Sequence, residues 1–279
     1  MRILVVGATG VLGRNAIPRL MERGHAVRAV VRRTEQAGIL HGLGVETAPG
    51  DILDQDTLYA SARGCDAALH LATAIPRGPG GDWSINDRIR REGTRNLLAA
   101  AALAHVPRYL QQSITFLYGD TGAAVVDESA PLRPNARIQS AADMEELVRA
   151  APLEWIILRG GSFYGPGTGR EDNWRAQARA GTLHLPGDGS ALLSLVHVAD
   201  MARAVVLAVE SAPAQTVANV VDDQPVSYRA LYGYIAAQAG MPEPPAGGPP
   251  TASLACANAR IKELLGWQPA YPTYRSGLA

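Results

Sequence analysis

Three glycines at regular spacing follow the first apolar run of the chain, and they constrain the fold more than any other feature. Residues 3–6 are apolar and predict a strand, and residues 11–23 carry a helical stripe of apolar side chains. A glycine-rich turn between a strand and a helix lets the backbone approach a pyrophosphate, whose charge the free N–H groups of the helix stabilise. The sequence therefore predicts a Rossmann-type dinucleotide site. Its expected cofactor-binding residues are Gly7, Thr9, Gly10, Val11, Leu12 and Gly13.

Short apolar runs and amphipathic stretches alternate as far as about residue 160. They predict strands at 26–31, 45–48, 67–71, 108–112 and 155–158 and helices at 34–40, 54–64, 85–104 and 136–150. This rhythm is typical of an α/β fold with a doubly wound parallel sheet and helices on both faces. The rest of the chain is less regular. We expect a single Rossmann-fold protein with a core at about 1–160 and 192–225 and a small substrate lobe at about 161–191 and 226–279.

Opposite charges balance in this chain, with 26 Lys+Arg against 26 Asp+Glu. No net field therefore favours nucleic acid or an anionic membrane. The two cysteines, Cys65 and Cys256, are far apart and in no metal-ligand spacing, which indicates a reducing compartment and no metal site. No segment approaches the roughly 18 apolar residues of a membrane span. We expect a cytoplasmic protein that acts on a small molecule, without a nucleic-acid or membrane partner.

The end of the second predicted strand indicates which dinucleotide binds. An acidic residue there would bind the ribose 2′-OH of NAD, but the chain carries Arg32 and Arg33 and no carboxylate before Glu35. A guanidinium forms paired hydrogen bonds with a phosphate, so two arginines suit the 2′-phosphate of NADP(H). The alternative is two solvated arginines in an arginine-rich chain. NADP(H) is the expected cofactor.

Motifs along nearly the whole chain carry a resemblance to a known family. They are, in chain order, the segments 7–13, 50–52, 70–73, 92–98, 159–167, 196–200 and 265–269. Together they resemble the extended short-chain dehydrogenase/reductase family, the group similar to NAD(P)-dependent nucleotide-sugar epimerases and dehydratases. The resemblance implies that Asp51 lies by the adenine and that residues 71–73 line the nicotinamide ribose. It adds to the expected cofactor-binding residues Asp51, Ile52, Leu71, Ala72, Thr73, Gly160, Gly161 and Ser162.

The chain departs from this family in the catalytic segment. The family uses a Tyr-x-x-x-Lys pair after the fifth strand, in which the lysine lowers the pKa of the tyrosine. The flanking motifs place the tyrosine position at Arg137 and the lysine position at Ala141. No other register restores the pair, because no tyrosine lies between Tyr118 and Tyr164 and the one lysine is Lys262. The usual acid–base pair is therefore expected to be absent.

Other side chains become candidates for the chemistry. The usual catalytic serine position falls on Ile114, with Ser113 and Thr115 as polar neighbours, and Tyr164 lies in the turn expected beside the nicotinamide. Arg137 keeps its proton, so we expect it to stabilise negative charge or to bind an anionic substrate. The expected catalytic residues are Ser113, Tyr164 and Arg137, and the expected substrate pocket contains Trp83, Thr115 and Trp174.

Three functions stay open on these residues. The first is an NADP-dependent oxidoreductase, a reductase or dehydrogenase of a small organic carbonyl or enone, with a non-standard proton donor. The second is a catalytically silent NADP(H)-binding sensor or regulatory protein, because the tyrosine, lysine and serine positions are all changed. The third is a non-redox isomerase, dehydratase or cyclase of a biosynthetic pathway, whose pocket orients a reactive substrate.

Two of the predicted helices, at 85–104 and 136–150, correspond to the helices that form a dimer in the family. Their apolar stripes predict a homodimer, and plain packing on the sheet is the alternative.

Overall fold

A computed structural model describes residues 1–76 and 81–278 of the chain. Residues 77–80, within the predicted core, and residue 279, at the end of the predicted lobe, lie outside the described residues.

Seven parallel strands form the central sheet, which confirms the predicted doubly wound α/β class. Numbered along the chain, they are β1 (Arg2–Val6), β2 (Ala26–Val31), β3 (Glu46–Pro49), β4 (Ala67–His70), β5 (Arg108–Ile114), β6 (Glu154–Gly160) and β7 (Thr216–Val220). Across the sheet their order is β7-β6-β5-β4-β1-β2-β3. This is the Rossmann order with one additional strand. The sequence pattern did not predict β7, because its five residues include the polar Thr216 and Asn219.

Eleven α-helices are described within these residues. They are α1 (Val11–Glu22), α2 (Thr34–His41), α3 (Gln55–Ala62), α4 (Ser84–Arg88), α5 (Thr94–Leu103), α6 (Gln139–Arg149), α7 (Arg170–Arg179), α8 (Val198–Ser211), α9 (Tyr228–Gln238), α10 (Ala259–Leu265) and α11 (Tyr274–Gly277). A π-helical turn, Ile89–Gly93, joins α4 to α5, so the helix expected at 85–104 is continuous but changes its winding in the middle. A 3₁₀ turn, Thr115–Tyr118, follows β5.

Short strand pairs lie outside the central sheet. Their strands are Val125–Val126, Ser162–Tyr164, Leu185–Pro186, Leu192–Leu193, Leu195–His197, Val226–Ser227, Ala246–Gly248 and Ala255–Cys256.

The start of α6 differs from the sequence-based expectation. The helix begins at Gln139 rather than at residue 136, because residues 135–138 form a turn in which Asn135 accepts hydrogen bonds from the N–H groups of Arg137 and Ile138. Arg137 therefore precedes the helix instead of belonging to its first turn.

The chain divides into two compact units. The first contains residues 1–113, 135–159 and 202–217, and the second contains residues 114–134, 160–201 and 218–279. Residues 114–134, 192–201 and 218–225 thus group with the second unit, whereas the expected division had placed them in the core. The division into a core and a substrate lobe stays a prediction.

Residues after α10 are held within the second unit by hydrogen bonds to Asp200 and by apolar packing. Asp200 is fully buried, and its two carboxylate oxygens accept hydrogen bonds from the N–H groups of Ala270 (2.8 Å) and Tyr271 (2.9 Å). The indole N–H of Trp267 donates to the Asp200 carbonyl oxygen at 3.1 Å. Tyr274 joins the apolar cluster of this unit. These contacts fix the segment after α10 against the start of α8.

Within the described residues, no helix combines the length and the apolar character that a bilayer crossing requires. The same part of the chain contains no group of three His, Cys, Asp or Glu side chains arranged to hold a metal ion.

Candidate functional site

The glycine turn after β1 has a backbone that only glycine fits. Gly7 has φ +93°, and a Cβ atom there would lie 2.5 Å from the backbone nitrogen of Ala72. A Cβ atom on Gly13 would lie 2.6 Å from the carbonyl oxygen of Ala8 and closer still to that of Gly7. The Gly10 N–H donates to the Gly7 carbonyl at 3.0 Å and closes the turn. Side chains at Gly7 and Gly13 would therefore displace the backbone that forms the cradle for a pyrophosphate.

The N-terminus of α1 is open to an anion. Gly10 caps this helix, so no side chain satisfies its first N–H groups, and the first turn contains no acidic residue. Thr9 and Val11 are half-buried at the rim, while Leu12 is buried beneath it. The free N–H groups and the positive end of the helix dipole favour a phosphate at this position. The turn therefore fits a dinucleotide.

Arg32 and Arg33 follow β2 at the same edge of the sheet. Val30 of β2 pairs with Val6 of β1, so Arg32 comes level with the start of the glycine turn. Both arginines are exposed, and the first carboxylate after them is Glu35 in the first turn of α2. The two guanidinium groups are accessible to a phosphate.

The other expected cofactor-binding segments of the first unit lie beside the glycine turn or follow a neighbouring strand. The Leu71 N–H donates to the Val6 carbonyl at 2.8 Å, which brings Ala72 against Gly7. Asp51 accepts a hydrogen bond from the Leu53 N–H at 2.9 Å and is half-buried. Ile52 is buried, and Thr73 is exposed. These segments end β3 and β4 at the carboxyl edge of the sheet, where α/β folds bind ligands.

Ser113 belongs to a buried ion-pair cluster. Its hydroxyl donates to Oε1 of Glu145 at 2.7 Å, and the Arg159 guanidinium holds both oxygens of the same carboxylate, at 2.9 and 2.6 Å. All three side chains are at most 2% exposed. Because the hydroxyl proton of Ser113 is engaged by a carboxylate, these contacts favour a structural role. Its catalytic assignment stays a prediction.

Arg137 contacts the face of Trp83. The guanidinium carbon lies 4.6 Å from the centroid of the indole ring, which is a cation–π geometry. Arg137 is exposed and Trp83 is half-buried. Ala141, at the expected lysine position, is fully buried. Two of the residues that the sequence singled out are thus brought together in the first unit.

The remaining candidates belong to the second unit. Thr115 is fully buried, and its hydroxyl donates to the Gly160 carbonyl at 3.4 Å. The Gly161 N–H donates to the Val220 carbonyl, and the Ser162 N–H donates to the Ser194 carbonyl. A Cβ atom on Gly161 would lie 2.7 Å from the Ser194 carbonyl oxygen. The cofactor role of residues 160–162 stays a prediction.

Tyr164 and Trp174 are buried in the second unit. The Tyr164 hydroxyl donates to the Thr273 carbonyl at 3.3 Å. Burial, reinforced by the nearby carboxylates Asp222 and Asp200, raises the pKa of Tyr164 well above its ordinary value. Trp174 packs against Tyr232, with ring centroids 5.8 Å apart. These surroundings favour packing roles for both aromatics.

Two further buried groups have shifted protonation. Burial lowers the pKa of His70, at the end of β4, to about 4, and it raises the pKa of Asp222 to about 8. Neither the ring nitrogens of His70 nor the carboxylate oxygens of Asp222 have a hydrogen-bond partner within the described part of the chain. Near neutral pH the imidazole of His70 is therefore uncharged.

The buried polar residues that were not identified from the sequence include Asn86, Arg90 and Glu145. Glu145 had no distinguishing signal, because the adjacent Glu146 is exposed on the same helix. Arg90 lies three residues before Gly93 in the π-helical turn, a kind of helical irregularity that is frequent at functional sites.

The chain matches a family model and several characterised proteins. The model is that of the NAD dependent epimerase/dehydratase family, and it matches residues 3–220. A Streptomyces protein named 3-diazoavenalumate denitrifying reductase is 35% identical over an alignment of 306 residues that covers 100% of this chain and 99% of the relative. A ketoreductase of a farnesylated dihydroquinoline oxide from Stigmatella aurantiaca is 31% identical over 83% of this chain and 71% of its own. A 2-alkyl-3-oxoalkanoate reductase from Stenotrophomonas maltophilia is 28% identical over 87% and 77%.

Solved structures share the fold over the whole chain. The dTDP-glucose 4,6-dehydratase DesIV from Streptomyces venezuelae, with NAD and TYD bound, has a TM-score of 0.88, 25% identity and coverage of 100% of this chain and 95% of its own. A short-chain dehydrogenase/reductase superfamily protein from Agrobacterium tumefaciens, with bound NAD, has a TM-score of 0.81, 25% identity and the same coverage.

Proposed function

The chain belongs to the NAD-dependent epimerase/dehydratase family, and we propose that it is an NADPH-dependent reductase whose substrate accepts hydride without needing a proton from the pocket. Its reductase relatives identify it as an oxidoreductase, and its family uses a nicotinamide cofactor. The proposal concerns the choice of NADPH and the class of substrate.

The proposal rests on the prediction that the family's acid–base pair is replaced in this chain. Arg137 and Ala141 occupy the expected tyrosine and lysine positions, and the described residues of the first unit offer no evident substitute. The hydroxyl of Ser113 is engaged by Glu145, a guanidinium such as that of Arg137 retains its proton, and His70 is uncharged near neutral pH. A reaction that develops negative charge on oxygen would lack its usual proton donor.

One reduction avoids this requirement. The name of the Streptomyces relative describes the removal of nitrogen from a diazo compound. Reduced nicotinamide supplies a hydride, and a hydride added to an arenediazonium ion gives the arene and dinitrogen, with no oxyanion to protonate. We infer an aromatic substrate, because alkyl diazonium ions lose dinitrogen without a catalyst whereas aromatic ones persist in water.

Different residues of the first unit bind different parts of NADPH. The glycine turn and the N-terminus of α1 bind the pyrophosphate, and Asp51 and Ile52 lie by the adenosine. Arg32 and Arg33 bind the 2′-phosphate that distinguishes NADPH. Residues 71–73 line the nicotinamide ribose. The chain's own contribution is to orient the two reactants and to exclude water.

A carbonyl or enone substrate is the second candidate. The relatives from Stigmatella and Stenotrophomonas are named as reductases of oxo compounds. This chemistry needs a proton donor, and the candidates are Ser113 and Tyr164, with Arg137 stabilising the oxyanion. Both hydroxyls are buried and hydrogen-bonded, which makes this candidate weaker. The reductase relatives give no support to a silent sensor or to non-redox chemistry.

The test follows NADPH oxidation with two matched aromatics, 4-methoxybenzenediazonium and 4-methoxyacetophenone. Rates without enzyme are subtracted, because diazonium ions oxidise NADPH slowly by themselves. We expect turnover of the diazonium ion, and anisole that carries deuterium when NADPD is used and none when only the solvent is deuterated. Turnover of the ketone alone would replace the proposal by the second candidate.

The cofactor choice is tested by the variant Arg32→Ala, with the exposed arginine Arg63→Ala as the control. We expect the Kd of NADPH to rise roughly tenfold, which is about 1.4 kcal/mol, with little change in the Kd of NADH. Comparable affinities for the two dinucleotides, unchanged by the substitution, would contradict the assignment of NADPH.

A further inference from the structure

One face of the segment that begins at Trp83 carries two buried side chains whose hydrogen-bond donors the described residues do not fully satisfy. Trp83, Asn86, Asp87 and Arg90 are spaced by three or four residues and share this face. Asn86 is fully buried, and its Nδ2 has no partner within residues 1–76 and 81–278. An amide donor in this state lacks the acceptor that buried polar groups normally have.

Arg90 is the second incompletely satisfied donor. Its side chain is only 6% exposed, and the hydrogen bond described for it runs from Nη1 to the Ser140 hydroxyl at 3.2 Å. Ser140 in turn donates to Asp87 at 2.6 Å. Burial lowers the pKa of Arg90, and the charge of Asp87 opposes this effect only in part. A guanidinium has five N–H donors, so most of its capacity is unused by the described residues.

Two neighbouring arginines have carboxylate partners, unlike Arg90 and Arg137 within the described residues. Arg91 forms an ion pair with Asp143 at 2.6 Å, and Arg88 forms one with Glu92 at 2.9 Å. Within the part of the chain that the structure describes, neither Arg90 nor Arg137 has an ion pair with a carboxylate. Both arginines are related to the start of α6. Arg90 donates a hydrogen bond to Ser140, and Ser140 lies three residues after Arg137 in the sequence.

These residues lie at the edge of the sheet where a substrate is expected to bind. Trp83 precedes α4, which follows β4, and Arg137 precedes α6, which follows β5. In a parallel sheet these helix starts lie at the carboxyl edge, which is also the edge of the glycine turn. The cation–π contact between Arg137 and Trp83 adds a flat surface beside the unpaired donors.

We propose that Asn86, Arg90 and Arg137 form a binding site for the carboxylate of a planar substrate whose ring stacks on the Trp83–Arg137 pair. The site deepens the proposed function and rests on it, because the bound carboxylate belongs to the molecule that is reduced. A carboxylate supplies the acceptors that the Asn86 amide and the Arg90 guanidinium lack. The bulk of the substrate then lies over a face that is flat and cationic.

The test measures the binding of 2-naphthoate and of its uncharged amide, 2-naphthamide, to the enzyme saturated with NADP⁺, by calorimetry. For the unmodified chain we expect the carboxylate to bind roughly tenfold more tightly than the amide, and this preference to weaken at high salt. Arg137→Met and Arg90→Met should each reduce the preference to about twofold or less, while the affinity for the amide changes little. Arg88→Met is the matched control, because Arg88 already has Glu92 as its partner.

Arg90 is buried, so the folding of its variant is checked by thermal unfolding and by NADPH binding. Arg137 is exposed, and its variant decides the question if Arg90→Met does not fold. Equal binding of the carboxylate and the amide, or a preference unchanged in Arg137→Met, would overturn the proposed site. Turnover of 4-methoxybenzenediazonium without a carboxylate preference would reject the anion site and leave the proposed function standing. A carboxylate preference that depends on Arg137, without turnover of any diazonium ion, would support the anion site and reject the proposed function.

Discussion

The glycine turn after β1 and the start of α6 lie at the same edge of one sheet, yet they retain the family's pattern to different degrees. The turn keeps all three glycines, and each of Gly7 and Gly13 leaves no room for a Cβ atom. At the start of α6 we place the family's acid–base pair at Arg137 and Ala141, and the loss of that pair stays a prediction. The first region would bind the cofactor through backbone atoms, and the second would act on the substrate through side chains.

This difference shows which part of such an enzyme is free to change. This backbone cradle must distort when Gly7 or Gly13 gains a side chain, because the clash is with other backbone atoms. A catalytic side chain can be exchanged when the reaction no longer needs it, provided that the helix beneath it still packs. In α6 the packing is retained by Glu145, which is held by Arg159 and Ser113.

The largest effect is expected from Arg159→Leu, which tests whether the buried contacts of α6 stabilise the fold. The substitution leaves the Glu145 carboxylate buried without its cation, and breaking such a pair costs about 3–5 kcal/mol of unfolding free energy. Denaturant unfolding measures this loss. Arg149→Leu is the matched control, since Arg149 is 42% exposed and reaches the same carboxylate at 3.5 Å. Its loss should cost less than about 1 kcal/mol, and similar costs for the two variants would contradict this account.

The next effect tests the other region. Gly13→Ala puts a methyl group 2.6 Å from the Ala8 carbonyl oxygen, so the turn must shift. We expect the Kd of NADPH to rise at least roughly 100-fold, which is about 2.8 kcal/mol. Fluorescence titration of NADPH measures this change, and Gly233→Ala, where a Cβ atom meets open space, is the control. A Gly13→Ala variant with an unchanged Kd for NADPH would contradict the view that the glycine turn tolerates less change than the start of α6.

A third prediction concerns His70, on the strand between the two regions. Its pKa is about 4 in the folded chain against 6.5 for the free side chain. Between these values the unfolded chain binds a proton that the folded chain does not, so stability is lost as the pH falls from 6.5 to 4. Relative to His70→Leu, the unmodified chain should lose on the order of 2 kcal/mol over this interval. Parallel pH profiles of unfolding free energy for the two proteins would show that His70 is not held neutral.

The smallest effect is expected from Ser113→Ala. The variant removes one hydrogen bond to Glu145, which costs about 1 kcal/mol of stability. If Ser113 is structural, kcat for the diazonium ion should stay within about threefold of its original value, because no proton from this hydroxyl is used. A loss of kcat of roughly 100-fold, with normal NADPH binding, would instead mark Ser113 as the proton donor of a carbonyl reductase.

The parts that the sequence predicted are those governed by the backbone. The glycine turn and β1 to β6 follow from spacing and apolar runs, which leave a direct trace in the residues. The buried polar residues left no such trace. Glu145 and Glu146 are identical neighbours, and only the packing of α6 against β5 and β6 buries one of them. Asn86 and Arg90 could not be identified from the sequence for the same reason. Their role depends on which hydrogen-bond donors remain unsatisfied after the helices pack.

The clamp made by Asp200 has a consequence for how the protein is made. Ribosomes release a chain from its first residue onward, but the second unit closes around Asp200 only when Trp267 and Tyr271 are present to donate to it. Until then the Asp200 carboxylate lacks the hydrogen bonds that Ala270 and Tyr271 donate to it in the folded unit. The residues of the first unit end at 217, so all of them are synthesised before residues 267–271, and we expect a stage in which the second unit still lacks these contacts. Stalled translation within α10 would therefore yield a chain whose first unit is present and whose second unit is exposed to proteases.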